Sequence, residues 1–170
     1  VEATFEAFVR ARGPALLRYA HLLCGDAGRA EDLVQDALVK VYRRWGPDIA
    51  APSAYTRRAI TNEYLSWRRR LTNREVPTQL PEPATRSHTD AIAERDAVWR
   101  VLAGLPRRQR VVIVLRYYEA LPDREIADLL GLAEGSVRSL AARAFATLRA
   151  HPELRDAASV DRASRAEPSP

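Results

Sequence analysis

Residues 105–121 read LPRRQRVVIVLRYYEAL, and the run Val111-Val112-Ile113-Val114-Leu115 inside them decides the fold. Its β-branched residues favour a strand on propensity alone, and a strand here would change the architecture. Two neighbours argue otherwise. Pro106 occupies a position suited to the first residue of a helix, where a missing N–H costs nothing. Short segments of helical spacing flank the run on both sides. The run is therefore assigned to a helix. The chain is assigned to the all-α class, as two small helical domains joined by a flexible linker.

Downstream lies LPDREIADLLGLAEGSVRSLAARAFATLRA, residues 121–150. A short helix with Ile126, Ala127 and Leu130 inward ends at Gly131, where glycine takes a left-handed conformation at little cost. Leu132-Ala133 turns the chain, and a second helix starts near Glu134. It directs Val137, Ala141, Ala144 and Leu148 inward and leaves Ser136, Arg138, Ser139 and Arg143 facing out. This is the layout of a helix-turn-helix, whose second helix enters the DNA major groove by its N-terminal residues. Small serines permit close approach; arginine grips phosphates or reads guanine. An ordinary helical hairpin with a solvated arginine face is the competing reading. The short turn, the glycine and the acid-free stretch 135–149 favour DNA.

Upstream, residues 91–105 suit an amphipathic helix through Ile92, Val98, Trp99 and Leu102. Residues 71–91, LTNREVPTQLPEPATRSHTDA, are polar, carry prolines and show no period, the composition of a mobile linker. The N-terminal part begins with a helix over residues 4–23, apolar on one side (Phe5, Phe8, Val9, Leu16, Leu17, Tyr19, Ala20) and interrupted at Gly13-Pro14. Asp26 is placed to cap the next helix. That helix sets Leu33, Val34, Ala37, Leu38, Val41, Tyr42 and Trp45 on one face. Its solvent side carries Asp32 and Asp36 four residues apart, where like charges repel by a few tenths of a kcal/mol. The loop WGPDIAAPSA, residues 45–54, follows, then a helix starting near Ser53. The expected domains are residues 1–70 and 91–150, with 71–90 as linker and 151–170 as a disordered tail.

The 170 residues carry a net charge of +5, and Lys40 is the sole lysine among 27 basic residues. Placement of this charge matters more than its sum. Residues 52–70 hold Arg57, Arg58, Arg68, Arg69 and Arg70 against Glu63, and 135–149 hold Arg138, Arg143 and Arg149. Two basic helical stretches suggest two contacts with a polyanion, most simply nucleic acid. Along the first, Arg58, Asn62, Ser66 and Arg69 fall in one stripe, with Tyr64 and Trp67 nearby. Those aromatics either stack on an unpaired base or fill a core under solvated arginines. The residues leave both open.

Several classes are excluded. No apolar run is long enough to span a membrane and no signal-peptide pattern opens the chain. A single cysteine, Cys24, rules out an internal disulfide framework and fits a reducing compartment. His21 and Cys24 have zinc-like spacing, but His88 and His151 are distant, so no metal and no cofactor are expected. Neither a nucleophile–base pair nor a phosphate-cradling glycine loop is present, so no enzyme is expected.

Taken in order, AEDLVQDALVKVYRRW (30–45), AYTRRAITNEYLSWRRR (54–70) and LPRRQRVVIVLRYYEALPDREIADLLGLAEGSVRSLAARA (105–144) resemble an extracytoplasmic-function (ECF) bacterial sigma factor. The likeness is to the SigE-like subgroup of high-GC bacteria, and it covers about residues 4–150. It implies an alternative sigma factor that directs RNA polymerase core to promoters and helps open the −10 region in the cytoplasm. The first motif, region 2.2, would dock on a coiled coil of the polymerase β′ subunit through Asp32, Leu33, Gln35 and Asp36. The second, regions 2.3–2.4, would bind the −10 element through Arg57, Arg58, Asn62, Ser66 and Arg69. The third, region 4, would read the −35 element through Arg124, Ser136, Arg138, Ser139 and Arg143. An anti-sigma factor is a partner the family leads one to expect. The sequence departs from the family at Leu140, commonly arginine or another polar residue, and at Pro122, usually a serine cap. The alternative is a stand-alone helix-turn-helix regulator acting without polymerase core.

Overall fold

The computed structural model describes the backbone of residues 4–46, 49–73, 90–152 and 154, and the side chains of all of these except 67–73 and 90–96. The chain divides into two compact units, Val1–His88 and Thr89–Pro170. All regular structure among the described residues is helical. The expected linker falls largely, and the tail almost wholly, outside the described residues.

Unit one contains α1 (Phe5–Cys24), α2 (Ala27–Tyr42) and α3 (Pro52–Asn73). Each helix packs on the other two. The core is Leu16, Tyr19, Ala20 and Leu23 from α1, Ala30, Leu33, Val34, Ala37 and Val41 from α2, and Ile60 and Tyr64 from α3. Caps fix the ends of the first two helices. Thr4 Oγ1 accepts from the Ala7 N–H, Gly25 turns left-handed at φ 72°, and Asp26 Oδ1 accepts from the Arg29 N–H at 2.6 Å. Each satisfies a backbone group the helix end leaves orphaned.

Two expectations in this unit are corrected. Pro14 does not interrupt α1, which runs unbroken from Phe5 to Cys24. An internal proline costs about 3 kcal/mol, but Pro14 lies on the exposed side while core residues follow at 16, 19, 20 and 23. Burial of that face outweighs the lost bond. Tyr42 is also not a core residue, since it remains 63% exposed. Its ring instead stacks at 5.1 Å on Phe5, beside the Phe5–Trp45 and Phe8–Trp45 contacts, so aromatics close the end of the bundle from outside.

Buried hydroxyls tie α1 to α3. Thr61 Oγ1 donates to the Arg57 carbonyl at 2.8 Å, which uses its one proton. The Tyr19 hydroxyl, 2.6 Å from the same oxygen, is therefore the donor of that pair. Thr56 Oγ1 donates to the Pro52 carbonyl at 2.7 Å. Neither buried threonine is left unsatisfied, which removes the penalty that burial would otherwise impose.

Unit two contains α4 (Asp90–Ala103), α5 (Arg107–Ile113), a π-helical turn (Val114–Tyr118), α6 (Asp123–Leu130) and α7 (Glu134–Arg149). The run Val111–Leu115 is helical and wholly buried, as its flanks indicated. Pro106 occupies the N-cap of α5 rather than its first position, so the helix begins at Arg107, one residue later than expected. The helix then widens: the Glu119 N–H donates to the Val114 carbonyl, five residues back. Ala120 takes a left-handed φ of 52°, and Leu121 donates to the Leu115 carbonyl at 3.0 Å. These turns redirect the chain into α6. Val98, expected inward on α4, is 47% exposed, while Leu102 on that helix is buried. Ile92 has its side chain outside the described residues.

Two arginines serve this scaffold. Arg110 is buried; its Nε donates to the Leu102 carbonyl and its Nη2 to those of Ala103 and Leu105, at 3.0–3.2 Å. These carbonyls lie at and just beyond the end of α4, where the Leu102 carbonyl also accepts from the Leu105 N–H at 3.0 Å and the others lack a helical partner. The same guanidinium lies 4.6 Å from the Trp99 ring centre. Arg116 forks onto Asp123, with Nε 2.9 Å from Oδ1 and Nη2 against both carboxylate oxygens. This joins the π-helical turn to the first residue of α6. Pro122 supplies no side-chain cap there, so the ion pair is the polar fastening at that end.

Candidate polymerase and nucleic-acid interfaces

On α2 the face opposite the core presents Asp32, Gln35 and Asp36, all exposed. The helical repeat places them on adjacent turns of one surface. Asp32 has a loose contact to Arg29 at 3.8 Å and remains 64% exposed, so its charge is available to a basic partner. Leu33 does not belong with them. It is completely buried between the helices, because its position one residue past Asp32 turns it about 100° towards the core. Leu33 supports the acidic face from behind.

On α3 the outer stripe holds Arg58 and Asn62, both exposed, with Ser66 and Arg57 half-buried. The side chains of Arg69 and Trp67 lie outside the described residues. Tyr64 is 1% exposed and Ile60 fully buried. Tyr64 is therefore core and cannot stack on a base. The acid of this segment, Glu63, is bound by Lys40 Nζ of α2 at 2.9 Å, so α2 takes up the negative charge nearest the stripe. Arg44 adds a cation over the Tyr55 ring at 5.7 Å, at the other end of α3.

On unit two, α6 and α7 pack together and α7 lies on α5. The turn between α6 and α7 is built as the glycine indicated. Gly131 has φ 65°, and Leu132 donates to the Ala127 carbonyl at 2.9 Å. Ile126, Ala127, Val137, Ala141 and Ala144 are buried, with Leu130 and Leu148 at the margin. Ser136, Arg138, Ser139 and Arg143 are exposed on the outer face of α7, and Arg124 is exposed on α6. Leu140 is half-buried, which suits an apolar side chain at that position.

The outer face of α7 is not free of acid, which corrects the reading of that helix. Glu134, its first residue, pairs with Arg138, Nη1 to Oε2 at 3.4 Å. The i, i+4 spacing was visible in the sequence, but a count begun at residue 135 passes over it. Arg110 and Arg116 were also missed as scaffold arginines. Their partners lie in other segments, so no local pattern announces them.

Cys24 ends α1, and burial pushes its thiol up to about 11. Its S–H donates to the Asp26 carbonyl at 3.4 Å. A thiol held neutral in this way is a poor nucleophile and metal ligand. Among the described residues no group of three or more metal-ligating side chains converges, and no helix is long and apolar enough to cross a membrane.

Comparison with known proteins follows the same division. The sigma-70 region 2 family matches residues 8–74, and the sigma-70 region 4 family matches residues 95–148. The chain is 41% identical over 155 residues to the RNA polymerase sigma-E factor of Streptomyces avermitilis, covering 89% of this chain and 87% of that one. It is 33% identical over 144 residues to the ECF RNA polymerase sigma factor SigL of Mycobacterium tuberculosis, covering 79% and 80%. Among solved structures, CnrH in complex with the cytosolic domain of CnrY superposes with a TM-score of 0.62 at 26% identity, over 90% of this chain and 88% of that one. With two families matched in order and relatives covered nearly end to end, the chain belongs to the ECF branch of the sigma-70 family of RNA polymerase sigma factors.

Proposed function

We propose that this chain acts as an alternative sigma factor whose faces are divided between polymerase and promoter. Asp32, Gln35 and Asp36 of α2 dock on a basic surface of the polymerase core, the β′ coiled coil. Arg57, Arg58, Asn62, Ser66 and Arg69 of α3 meet the −10 element, and Arg58 and Asn62 lead that contact. Arg124 and the α7 residues Ser136, Arg138, Ser139 and Arg143 meet the −35 element as duplex.

The observation that carries this reading is the segregation of charge. Acids cluster on the outer side of α2, whereas Arg58 on α3 and Arg138 and Arg143 on α7 are exposed. A face that binds DNA cannot carry uncompensated carboxylates, and a face that binds a basic protein surface is strengthened by them. Two DNA contacts on one chain gain affinity from each other once both are held at one promoter. The chain contributes binding and no bond chemistry, and its site of action is the cytoplasm, where polymerase works. CnrH, solved with a protein segment bound, supports a second partner of the anti-sigma type for this chain as well.

Transcription in vitro with core polymerase and a genomic promoter library tests the proposal. Addition of the chain is expected to produce a new set of transcripts sharing a motif upstream of their starts. Specific binding to duplex DNA by the chain alone, with no new transcripts when core is supplied, would favour a stand-alone regulator.

A further inference from the structure

Glu134 is the sole acid of α7 (EGSVRSLAARAFATLR), and it stands at the leading end. A carboxylate carried first into a groove walled by phosphates is repelled unless donors meet it. The structure supplies one. Arg138, one turn on, holds Oε2 from 3.4 Å while both side chains stay exposed, at 61% for Arg138 and 47% for Glu134. Gly135 beside them has no side chain, and nothing lies within 4 Å of where its Cβ would be. The backbone there can approach another surface closely.

We propose that Glu134 reads a base: its carboxylate, neutralised by Arg138, accepts a hydrogen bond from the N4 amino group of a cytosine. This rests on the reading of α7 as the recognition helix. An ionised carboxylate only accepts, so it selects base edges that donate. Two donors face the major groove, cytosine N4 and adenine N6. Adenine sets its N7 acceptor beside that donor and repels a second acceptor, whereas cytosine offers the donor alone. Four residues span about 6 Å of helix axis, close to two steps of roughly 3.4 Å each along the DNA. Glu134 and Arg138 therefore reach base pairs about two steps apart, with arginine on guanine O6 and N7 and glutamate on cytosine.

A purely structural account competes with this one. Glu134 also complements the positive end of the helix and makes an i, i+4 pair. That account predicts a small loss of stability on substitution and no change in base preference.

Holoenzyme assembled from the full chain and core polymerase separates the two, by selection from a duplex pool randomised across the −35 element. Wild type is expected to enrich cytosine at one position. Glu134→Ala is expected to lose about fivefold or more of that preference, with the other positions unchanged. Glu134→Gln keeps the shape and adds a donor to the acceptor; glutamine pairs with adenine N6 and N7, so the preference at that position should move from cytosine to adenine. An unaltered profile in both variants overturns the inference. So does a uniform rise in affinity for every sequence, the mark of a carboxylate that merely repels phosphate. If Arg138→Ala also leaves the profile unaltered at every position, the recognition-helix reading itself has failed, and the inference falls with it.

Discussion

In the α4–α7 unit two guanidinium groups face the scaffold: Arg110 onto carbonyls at the end of α4, Arg116 onto Asp123. In the α1–α3 unit the hydroxyls of Tyr19, Thr56 and Thr61 make buried internal bonds, and the charged pair that joins α2 to α3, Lys40 with Glu63, lies nearer the surface. In the second unit, one guanidinium meets carbonyls at the end of the 14-residue α4 and the other the carboxylate at the start of the 8-residue α6, and a fork of five donors is suited to both. Arginine content alone therefore overstates the basic surface of the second unit. The cations left to meet DNA are those that the scaffold does not consume.

If the acidic face of α2 serves polymerase and the arginine face of α7 serves DNA, substitutions in the two units should separate the two activities. The largest effect is expected from Asp32→Lys with Asp36→Lys. Placing two cations against a basic partner should weaken binding to core polymerase by about 3 kcal/mol, roughly a hundredfold in Kd. A titration of labelled chain with core measures this, and equal affinity for mutant and wild type would remove α2 from the docking face. Next is Arg138→Ala with Arg143→Ala. Holoenzyme carrying this pair should lose about 1–3 kcal/mol per arginine in affinity for the −35 duplex, with a shallower salt dependence where a phosphate contact is lost. Core binding should not change. Unchanged affinity together with a salt slope identical to wild type would contradict the assignment.

Smaller effects test the scaffold. Arg116→Ala leaves the Asp123 carboxylate without its arginine, and should cost about 2 kcal/mol. Hydrogen exchange on the full chain should show faster exchange across α5–α7 with α1–α3 protected as before. Tyr19→Phe removes one buried hydrogen bond from the other unit, for about 1 kcal/mol. Faster exchange should then be confined to α1 and α3. If either substitution loosened both units equally, the contrast drawn between them would be wrong.

Helices were legible in the sequence wherever apolar spacing and terminal residues agreed. Gly131 marked the end of α6, Asp26 the start of α2, and the flanks of Val111–Leu115 outweighed the strand preference of its residues. Pro14 misled because a local rule was set against tertiary burial, and burial is the larger energy. Tyr42 and Val98 misled because helical spacing tells which side a residue faces but not where the neighbouring helix ends. Leu33 carries a partner role by its motif and a core role by its spacing with Val34 and Ala37, and the fold buries it completely. The α7 face was legible in outline: Ser136, Arg138, Ser139 and Arg143 all emerge exposed. Which arginines are left for that task was not. Arg110 and Arg116 look the same as Arg138 in one dimension, and only the carbonyls and the carboxylate brought to them by the turns tell them apart.

The central claim is that the acidic side of α2 holds this chain to polymerase core while its arginine faces remain for the promoter. Size-exclusion chromatography of the purified chain mixed with core polymerase at moderate salt tests it most directly. Co-elution of the two, lost when Asp32 and Asp36 are both changed to lysine and retained when Arg138 and Arg143 are both changed to alanine, is the predicted result. Separate elution of the unaltered chain and core, or loss of the complex with the arginine pair instead, would contradict it.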